Sequence, residues 1–198
     1  MNKLFKIVIC GISLLLFFSC NNNEQAITIN CDNTIDPIIV RMTREDNSII
    51  SIKFPQKILI QNNSFFKKSF IKIEYRYNNI PLGRNYGIGL YEQKNEILVK
   101  ISNNKKKTIS PKNQLVYVLY TSHYIDSTKS VQQQLKPYVE KMLRLKKDTL
   151  RIGTVVEFKQ KHKELFENLT RNDSVSIRFL NSSTKSGLGE RIAVPVKW

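Results

Sequence analysis

The sequence between residues 38 and 121 consists of short β-branched or aromatic runs separated by turn residues, and this pattern restricts the fold more than any other feature. The runs cover residues 38–42, 49–54, 57–61, 70–77, 97–102 and 115–121. Short runs bounded by Asn, Ser and Pro are typical of strands in a β-sandwich. With 41% hydrophobic residues and only 7 Gly and 6 Pro among 198 residues, the chain is expected to be globular and not disordered.

Two of the runs indicate how their strands are placed. Apolar or aromatic residues alternate with charged ones from Ile71 through Ile73 and Tyr75 to Tyr77, which predicts one buried and one solvated face. The run 115–120 is apolar on both faces and predicts a central strand. The stretch KILIQNNSFFKKSFIKIEYRY resembles an inner strand pair of an immunoglobulin-like bacterial module, although the antibody-type Cys and Trp are not present. This likeness of pattern implies a sandwich.

The C-terminal third changes to a helical period. Apolar residues spaced by three and four predict a helix over 131–147, and these residues are Leu135, Tyr138, Met142 and Leu145. Pro137 removes a backbone donor and clashes with the preceding turn, which favours a regular helix that begins at Lys136 or Pro137.

A second helix and a final hairpin follow. Thr154 and Glu157 have the spacing of a capping box. One apolar stripe then predicts a single helix that ends near Asn172, and it comprises Val155, Phe158, His162, Leu165 and Leu169. Alternating residues in 174–179 and 192–198 predict two strands of a hairpin, and Pro195 places the last strand at a sheet edge.

These patterns together predict an α+β fold, in which a β-sandwich is followed by two helices and a C-terminal β-hairpin. The expected organisation is a signal peptide at 1–19, a lipidated tether at 20–36 and a β-rich, sandwich-like domain at 37–124. A helix–helix–hairpin unit at 125–198 is expected to pack on that domain.

The first twenty residues have the layout of an export signal. Lys3 and Lys6 precede an apolar stretch that is too short to span a bilayer, and Ser19 precedes Cys20. The segment 16–20, Leu-Phe-Phe-Ser-Cys, resembles the lipobox of bacterial lipoproteins in the looser form of Bacteroidota. The resemblance implies that Cys20 becomes the acylated first residue and anchors the protein in a membrane. Asn21 after it favours the outer membrane, and the sequence leaves the periplasmic or surface face undecided.

Cysteine use excludes an intramolecular disulfide. The resemblance to a lipoprotein signal implies that Cys10 leaves with the signal peptide and that the sulfur of Cys20 carries the lipid, so Cys31 would be the one thiol that remains. Its place in the polar tether indicates an incidental thiol.

The net charge of +16 is concentrated in the C-terminal half, where 101–198 carries 19 basic and 8 acidic residues. We expect a basic, partner-binding face on the helices, formed by Lys136, Lys141, Arg144, Lys147 and Lys161. Such a field suits an acidic protein or glycan. The excess of 23 Lys over 9 Arg argues against nucleic acid, whose phosphates favour Arg forks. Lysines that only keep the domain soluble are the alternative.

The sequence holds no recognisable catalytic motif. His123 and His162 are its two histidines, and neither belongs to a metal or hydrolase motif, so we predict no catalytic residue, metal or cofactor. His162 lies on the apolar stripe and is expected to be packed. His123 ends a buried strand, and the sequence pairs no acid with it.

Three Asp-Ser or Asp-Thr pairs resemble the sequon at which Bacteroidota O-glycosylate exported proteins, with Ser127, Thr149 and Ser174 as the acceptors. The competing explanation is structural, because Asp and Ser hydrogen-bond neighbouring backbone at loop junctions.

Three functions remain after these observations. The chain fits a noncatalytic envelope lipoprotein that binds a protein complex or a glycan. An immunity lipoprotein that neutralises a periplasmic toxin is the first alternative. A hydrolase with unrecognised residues is the second, and a polar pocket around His123 would favour it.

Overall fold

Two antiparallel β-sheets and three helices make up residues 25–77, 87–181 and 183–198, which are the residues that the computed structural model describes. The large sheet contains β1 (Ile27–Asn33), β2 (Ile38–Met42), β3 (Ile49–Asn62), β5 (Ile88–Lys94), β6 (Ile97–Ile101), β8 (Gln114–Tyr124) and β9 (Thr149–Ile152). The small sheet contains β4 (Lys68–Arg76), β7 (Lys107–Ile109), β10 (Ser174–Leu180) and β11 (Leu188–Pro195). The helices are α1 (Lys129–Arg144), α2 (Val155–Lys161) and α3 (Lys163–Thr170). None of them is long and apolar enough to cross a lipid bilayer.

Strand β3 is the spine of the large sheet. The strand order is β6-β5-β8-β3-β2-β9, and β1 also pairs with β3. The sequence predicted two strands where β3 runs unbroken through Pro55. One edge of β3 pairs first with β2 and then with β1. Pairing with β2 ends at Lys53, and pairing with β1 begins at Gln56. Pro55 therefore lies where that ladder is interrupted, a place that tolerates a missing N–H.

Two hydrophobic clusters hold the layers together. The first lies between the two sheets and includes Ile58 of β3, Ile73 of β4 and Ile177 of β10. The second lies between the other half of the large sheet and the helices, and Phe54 and Phe166 are central to it. Strands make up 49% of the described residues, and the predicted α+β fold with a sandwich-like sheet pair and a C-terminal hairpin is confirmed. Strand β11 lies at the edge of the small sheet, as Pro195 predicted.

Part of the predicted tether is a strand. Residues 27–33 form β1, in which Ile27 and Ile29 are buried and Cys31 lies half-buried opposite Ile58. Burial raises the pKa of the Cys31 thiol to about 12, and the Asp32 carboxylate adds to the shift. The expectation of a tether over 20–36 is thus wrong for residues 27–33, because polar neighbours hid the alternation of buried side chains. The signal peptide and Cys20 lie outside the described residues.

The C-terminal third contributes strands to both sheets. Strand β9 pairs with β2, and β10 pairs with β4. Each sheet thus contains strands from both sides of residue 125. The predicted units 37–124 and 125–198 therefore share their sheets.

The alternation predicted for β4 is correct except at Ile71. Ile73, Tyr75 and Tyr77 are buried, whereas Ile71 is exposed and Phe70 takes the inward position. The register between β4 and β10 shifts between the pairs Ile73–Ile177 and Phe70–Phe179. This irregularity turns Ile71 outward, and a pattern of strict alternation cannot predict it.

Helix α1 runs from Lys129 to Arg144 without a break, so the expected start at Lys136 or Pro137 is wrong. Pro137 is exposed, and the carbonyl that loses its donor belongs to the exposed Gln133. Solvent can hydrogen-bond that carbonyl, which lowers the cost of an interior proline.

The single second helix of the prediction is two helices. Its capping box at Thr154 and Glu157 is confirmed, but His162 adopts φ −131° and ψ 50°, and separates α2 from α3. The ring of His162 contacts Phe158 of α2 and Tyr138 of α1. These tertiary contacts leave no trace in the periodicity of the sequence.

Candidate functional site

The basic residues predicted on the helices are all exposed. Lys136, Lys141 and Arg144 lie on α1, Lys147 follows it, and Lys161 is the last residue of α2. Only one of these side chains is in an ion pair with a described residue, that of Lys136 with Glu140 across one helical turn, at 3.9 Å.

A cleft of about 400 Å³ separates α1 from α2 and brings two of the five residues together. Its lining consists of Pro137, Tyr138, Lys141, Ile152, Gly153, Glu157, Phe158 and Lys161. Lys141 and Lys161 thus approach the same space from opposite helices, whereas Lys136, Arg144 and Lys147 are not part of the lining. We call this space the α1–α2 cleft.

Aromatic groups form one wall of the α1–α2 cleft. The hydroxyl of Tyr138 lies 3.0 Å from Nε2 of His162, and the Lys161 ammonium lies 5.2 Å from the centre of the Tyr138 ring. Burial lowers the pKa of His162, and the charge of Lys161 lowers it further. The imidazole is therefore held in its neutral form near pH 7, and the positive charge of the cleft comes from the lysines.

Glu157 is the one carboxylate in the lining of the cleft, and it is committed to the start of α2. Its Oε2 accepts hydrogen bonds from the backbone N–H of Thr154 at 2.6 Å and from the Thr154 hydroxyl at 3.1 Å. A Cβ at Gly153 would lie 2.1 Å from this oxygen, so a side chain at this position would displace the Glu157 carboxylate from where it caps α2. With Glu157 so occupied, Lys141 and Lys161 are available to bind an anionic group, and Tyr138 offers a ring beside it.

A second constellation, which the sequence did not reveal, lies inside the protein. Nε2 of His123 is 2.9 Å from Oδ2 of Asp173, and the hydroxyl of Tyr75 donates to the same oxygen at 2.6 Å. His123 points inward from β8, and Asp173 directly precedes β10, which pairs with β4 and so places Val175 opposite Tyr75. The sequence paired no acid with His123 because fifty residues separate it from Asp173, and only the sheet pairing joins them.

This His123–Asp173–Tyr75 network is enclosed by aromatic rings. The rings of Phe54 and Tyr77 are each centred 5.0 Å from that of His123, whose residue is only 3% exposed. Burial raises the pKa of Tyr75 well above its ordinary value, and the neighbouring carboxylate of Asp173 adds to this effect. A substrate would have to displace these rings to reach the imidazole, so the arrangement acts as a hydrogen-bonded link inside the core.

The three predicted glycan acceptors differ in accessibility. Ser127 is exposed in the loop before α1, and Thr149 is exposed at the start of the edge strand β9. Ser174 is half-buried and has paired strands on both sides, with Arg76 and Pro195 as its register partners. Of the three Asp residues, Asp126 accepts a hydrogen bond from neighbouring backbone, the N–H of Thr128, as the competing explanation describes. Asp148 accepts from the Thr149 hydroxyl and Asp173 from the distant Tyr75 hydroxyl.

Among the residues that the structure describes, no three His, Cys, Asp or Glu side chains converge as metal ligands would. The α1–α2 cleft is lined by the side chains of Lys141 and Lys161 and by the aromatic rings of Tyr138 and Phe158. Comparison with known proteins adds no assignment, since no protein-family model and no curated protein matches this chain.

Proposed function

We propose that the protein is a lipid-anchored, noncatalytic binding module of the cell envelope. It binds an acidic protein or glycan partner at the α1–α2 cleft. The observation that carries the proposal is the convergence of Lys141 and Lys161 on one cleft beside Tyr138. Ammonium groups at the rim attract an acidic group, and the tyrosine ring packs against the ligand that carries it.

The lipobox-like segment supports the anchored part of this proposal, and the position of His123 supports its noncatalytic part. The buried imidazole contacts Asp173 and aromatic rings. The polar side chains that line the cleft are Lys141, Lys161, Tyr138 and Glu157, whose carboxylate caps α2. Cations at a rim act mainly on the rate of association and give it a dependence on salt.

Charge reversal tests the binding face. The variant Lys141→Glu/Lys161→Glu is compared with Lys105→Glu/Lys106→Glu, which makes the same change in net charge at two exposed lysines of the β6–β7 turn. Both variants and the wild type are used to capture partners from an envelope extract at low and at high salt. We expect the cleft variant alone to lose the captured partner, and the wild type to lose it as salt increases.

Equal capture by the wild type and both variants would contradict the proposed face, and capture independent of salt would contradict its electrostatic basis. A single small protein captured in equal stoichiometry would favour the immunity function, because an immunity protein binds one toxin tightly.

Metabolic labelling tests the anchor. A palmitate analogue should label the wild type and Cys31→Ala, but not Cys20→Ala, because the lipobox directs acylation to Cys20 alone. Cys31→Ala is the matched control, since it removes the other cysteine of the mature chain. Labelling of Cys20→Ala at the wild-type level would rule out this anchor.

A further inference from the structure

The turn between β3 and β4 exposes two adjacent aromatic side chains. Phe65 is 78% exposed and Phe66 is 75% exposed, and Lys67 directly after them is exposed as well. The ammonium of Lys112 lies 4.6 Å from the centre of the Phe65 ring. Two neighbouring phenylalanines in water are unfavourable unless another surface covers them.

The turn is held in this shape by a buried side chain. Nδ2 of Asn62, which is fully buried, donates to the carbonyls of Phe66 at 2.8 Å and Ser110 at 3.1 Å. Its Oδ1 accepts from the backbone N–H of Ser64 at 3.1 Å and from the Ser64 hydroxyl at 2.7 Å. The phenylalanines are thus presented to solvent by an ordered scaffold.

The same turn contacts the first described residues of the chain. The backbone N–H of Asn63 donates to the carbonyl of Ala26 at 2.9 Å, and its side-chain amide donates to the carbonyl of Gln25 at 3.0 Å. Cys20 lies five residues before Gln25, and five residues reach at most about 18 Å when fully extended. An acyl chain on Cys20 would therefore hold this end of the domain close to the bilayer.

We propose that the β3–β4 turn docks on the lipid bilayer that holds the acyl anchor. Phe65 and Phe66 enter the interfacial region of the bilayer, and Lys67 and Lys112 meet its anionic headgroups. Aromatic rings flanked by long cationic side chains suit this boundary, since the rings leave water while the ammonium groups stay in it. The inference rests on the proposed acylation of Cys20. It adds an orientation, in which the β3–β4 turn of the anchored domain faces the bilayer.

Depth-dependent fluorescence quenching tests the docking. The acylated full-length variants Phe66→Trp and Ile35→Trp are reconstituted into vesicles of phosphatidylcholine and phosphatidylglycerol, with or without brominated acyl chains. Ile35 is the matched control, because it is apolar, 91% exposed and beyond the other end of β1. Trp198 contributes the same background to both proteins. We expect brominated lipid to quench Trp at position 66 several-fold more than Trp at position 35.

Equal quenching at the two positions would overturn the docking. Phe65→Trp provides a second probe of the same turn, and its ring is expected to be quenched like that at position 66. A blue-shifted emission at position 66 that depends on protein concentration and not on lipid would show that a second copy covers the turn, which also overturns the proposal. Flotation of protein that carries the palmitate label reports the anchor separately. Labelled protein that floats without selective quenching rejects the docking alone, whereas absence of label rejects the anchor and the docking with it.

Discussion

At the scale of single residues, the carboxylate of Asp173 joins three strands that are distant in sequence. Asp173 directly precedes β10. Its carboxylate accepts a hydrogen bond from the Tyr75 hydroxyl of β4 and lies within hydrogen-bond distance of His123 of β8. Sequence patterns could place Tyr75 and His123 on buried faces, because alternation and apolar runs report burial. They could not pair either with Asp173, since the pairing depends on which strands become neighbours.

Tyr75→Phe is expected to lower the free energy of unfolding by about 1–3 kcal/mol, because the buried carboxyl loses a hydrogen bond that no solvent replaces. Urea unfolding followed by far-UV circular dichroism measures the change. Tyr91→Phe removes the same hydroxyl from a half-exposed tyrosine on β5 and should cost less than about 0.5 kcal/mol. A loss for Tyr75→Phe no larger than that of Tyr91→Phe would contradict the role of the network.

His162 is expected to make stability depend on pH. Because burial and Lys161 lower its pKa in the folded state, the unfolded chain binds a proton more readily as pH falls. The wild type should therefore lose stability between about pH 7 and pH 5, below the pKa of an unfolded histidine. His162→Gln, which keeps a partner for the Tyr138 hydroxyl, should lose less over the same range in urea titrations. Parallel pH profiles for the two proteins would refute this expectation.

At the scale of elements, local chemistry was the reliable guide. The Thr154–Glu157 capping box and the edge position of the strand with Pro195 follow from side-chain and backbone groups within a few residues, and both are present. The break at His162 and the bulge near Ile71 depend on contacts with α1 and β10 instead. Periodicity contains no information on such contacts, which explains why these two predictions were wrong.

The packing of α2 is expected to contribute strongly to stability. Phe158 is buried, and its ring centre lies 5.5 Å from that of Phe54. Phe158→Ala should cost roughly 3–5 kcal/mol of unfolding free energy, because it leaves a cavity in the second cluster. Val156→Ala on the exposed side of the same helix is the control and should change stability by less than about 0.5 kcal/mol. A cost below about 1 kcal/mol for Phe158→Ala would mean that α2 is peripheral.

At the scale of the whole molecule, the class of fold was predictable and the connections were not. The sequence predicts strands first and helices after them, and this order indicates an α+β fold. The alternation of apolar and polar residues indicates which face of a strand is buried. Strand β1 was missed because Asn30 and Asp32 mask its apolar positions, and the pairing of β9 with β2 has no local signal. The sequence predicted a basic face on the helices that includes Lys141 and Lys161, but charge counts do not show that these two residues converge on one cleft.

We expect the described sheets and helices to unfold in one cooperative transition. Trp198 packs against both hydrophobic clusters, so its fluorescence reports on both, whereas far-UV circular dichroism reports on the strands. Melting curves from the two probes should coincide, since β9 and β10 belong to sheets begun by earlier strands. Two separated transitions would show instead that the segments 37–124 and 125–198 unfold independently.

The late position of β10 and β11 also affects when the protein can fold. These strands form half of the four-stranded sheet, and Val175 and Ile177 fill the space between the layers. A chain that is threaded through a translocation channel from its N-terminus cannot complete the sandwich until these residues have emerged. If the protein is exported as proposed, the sandwich therefore stays unfolded during translocation, and it folds only after the C-terminal strands have crossed the membrane.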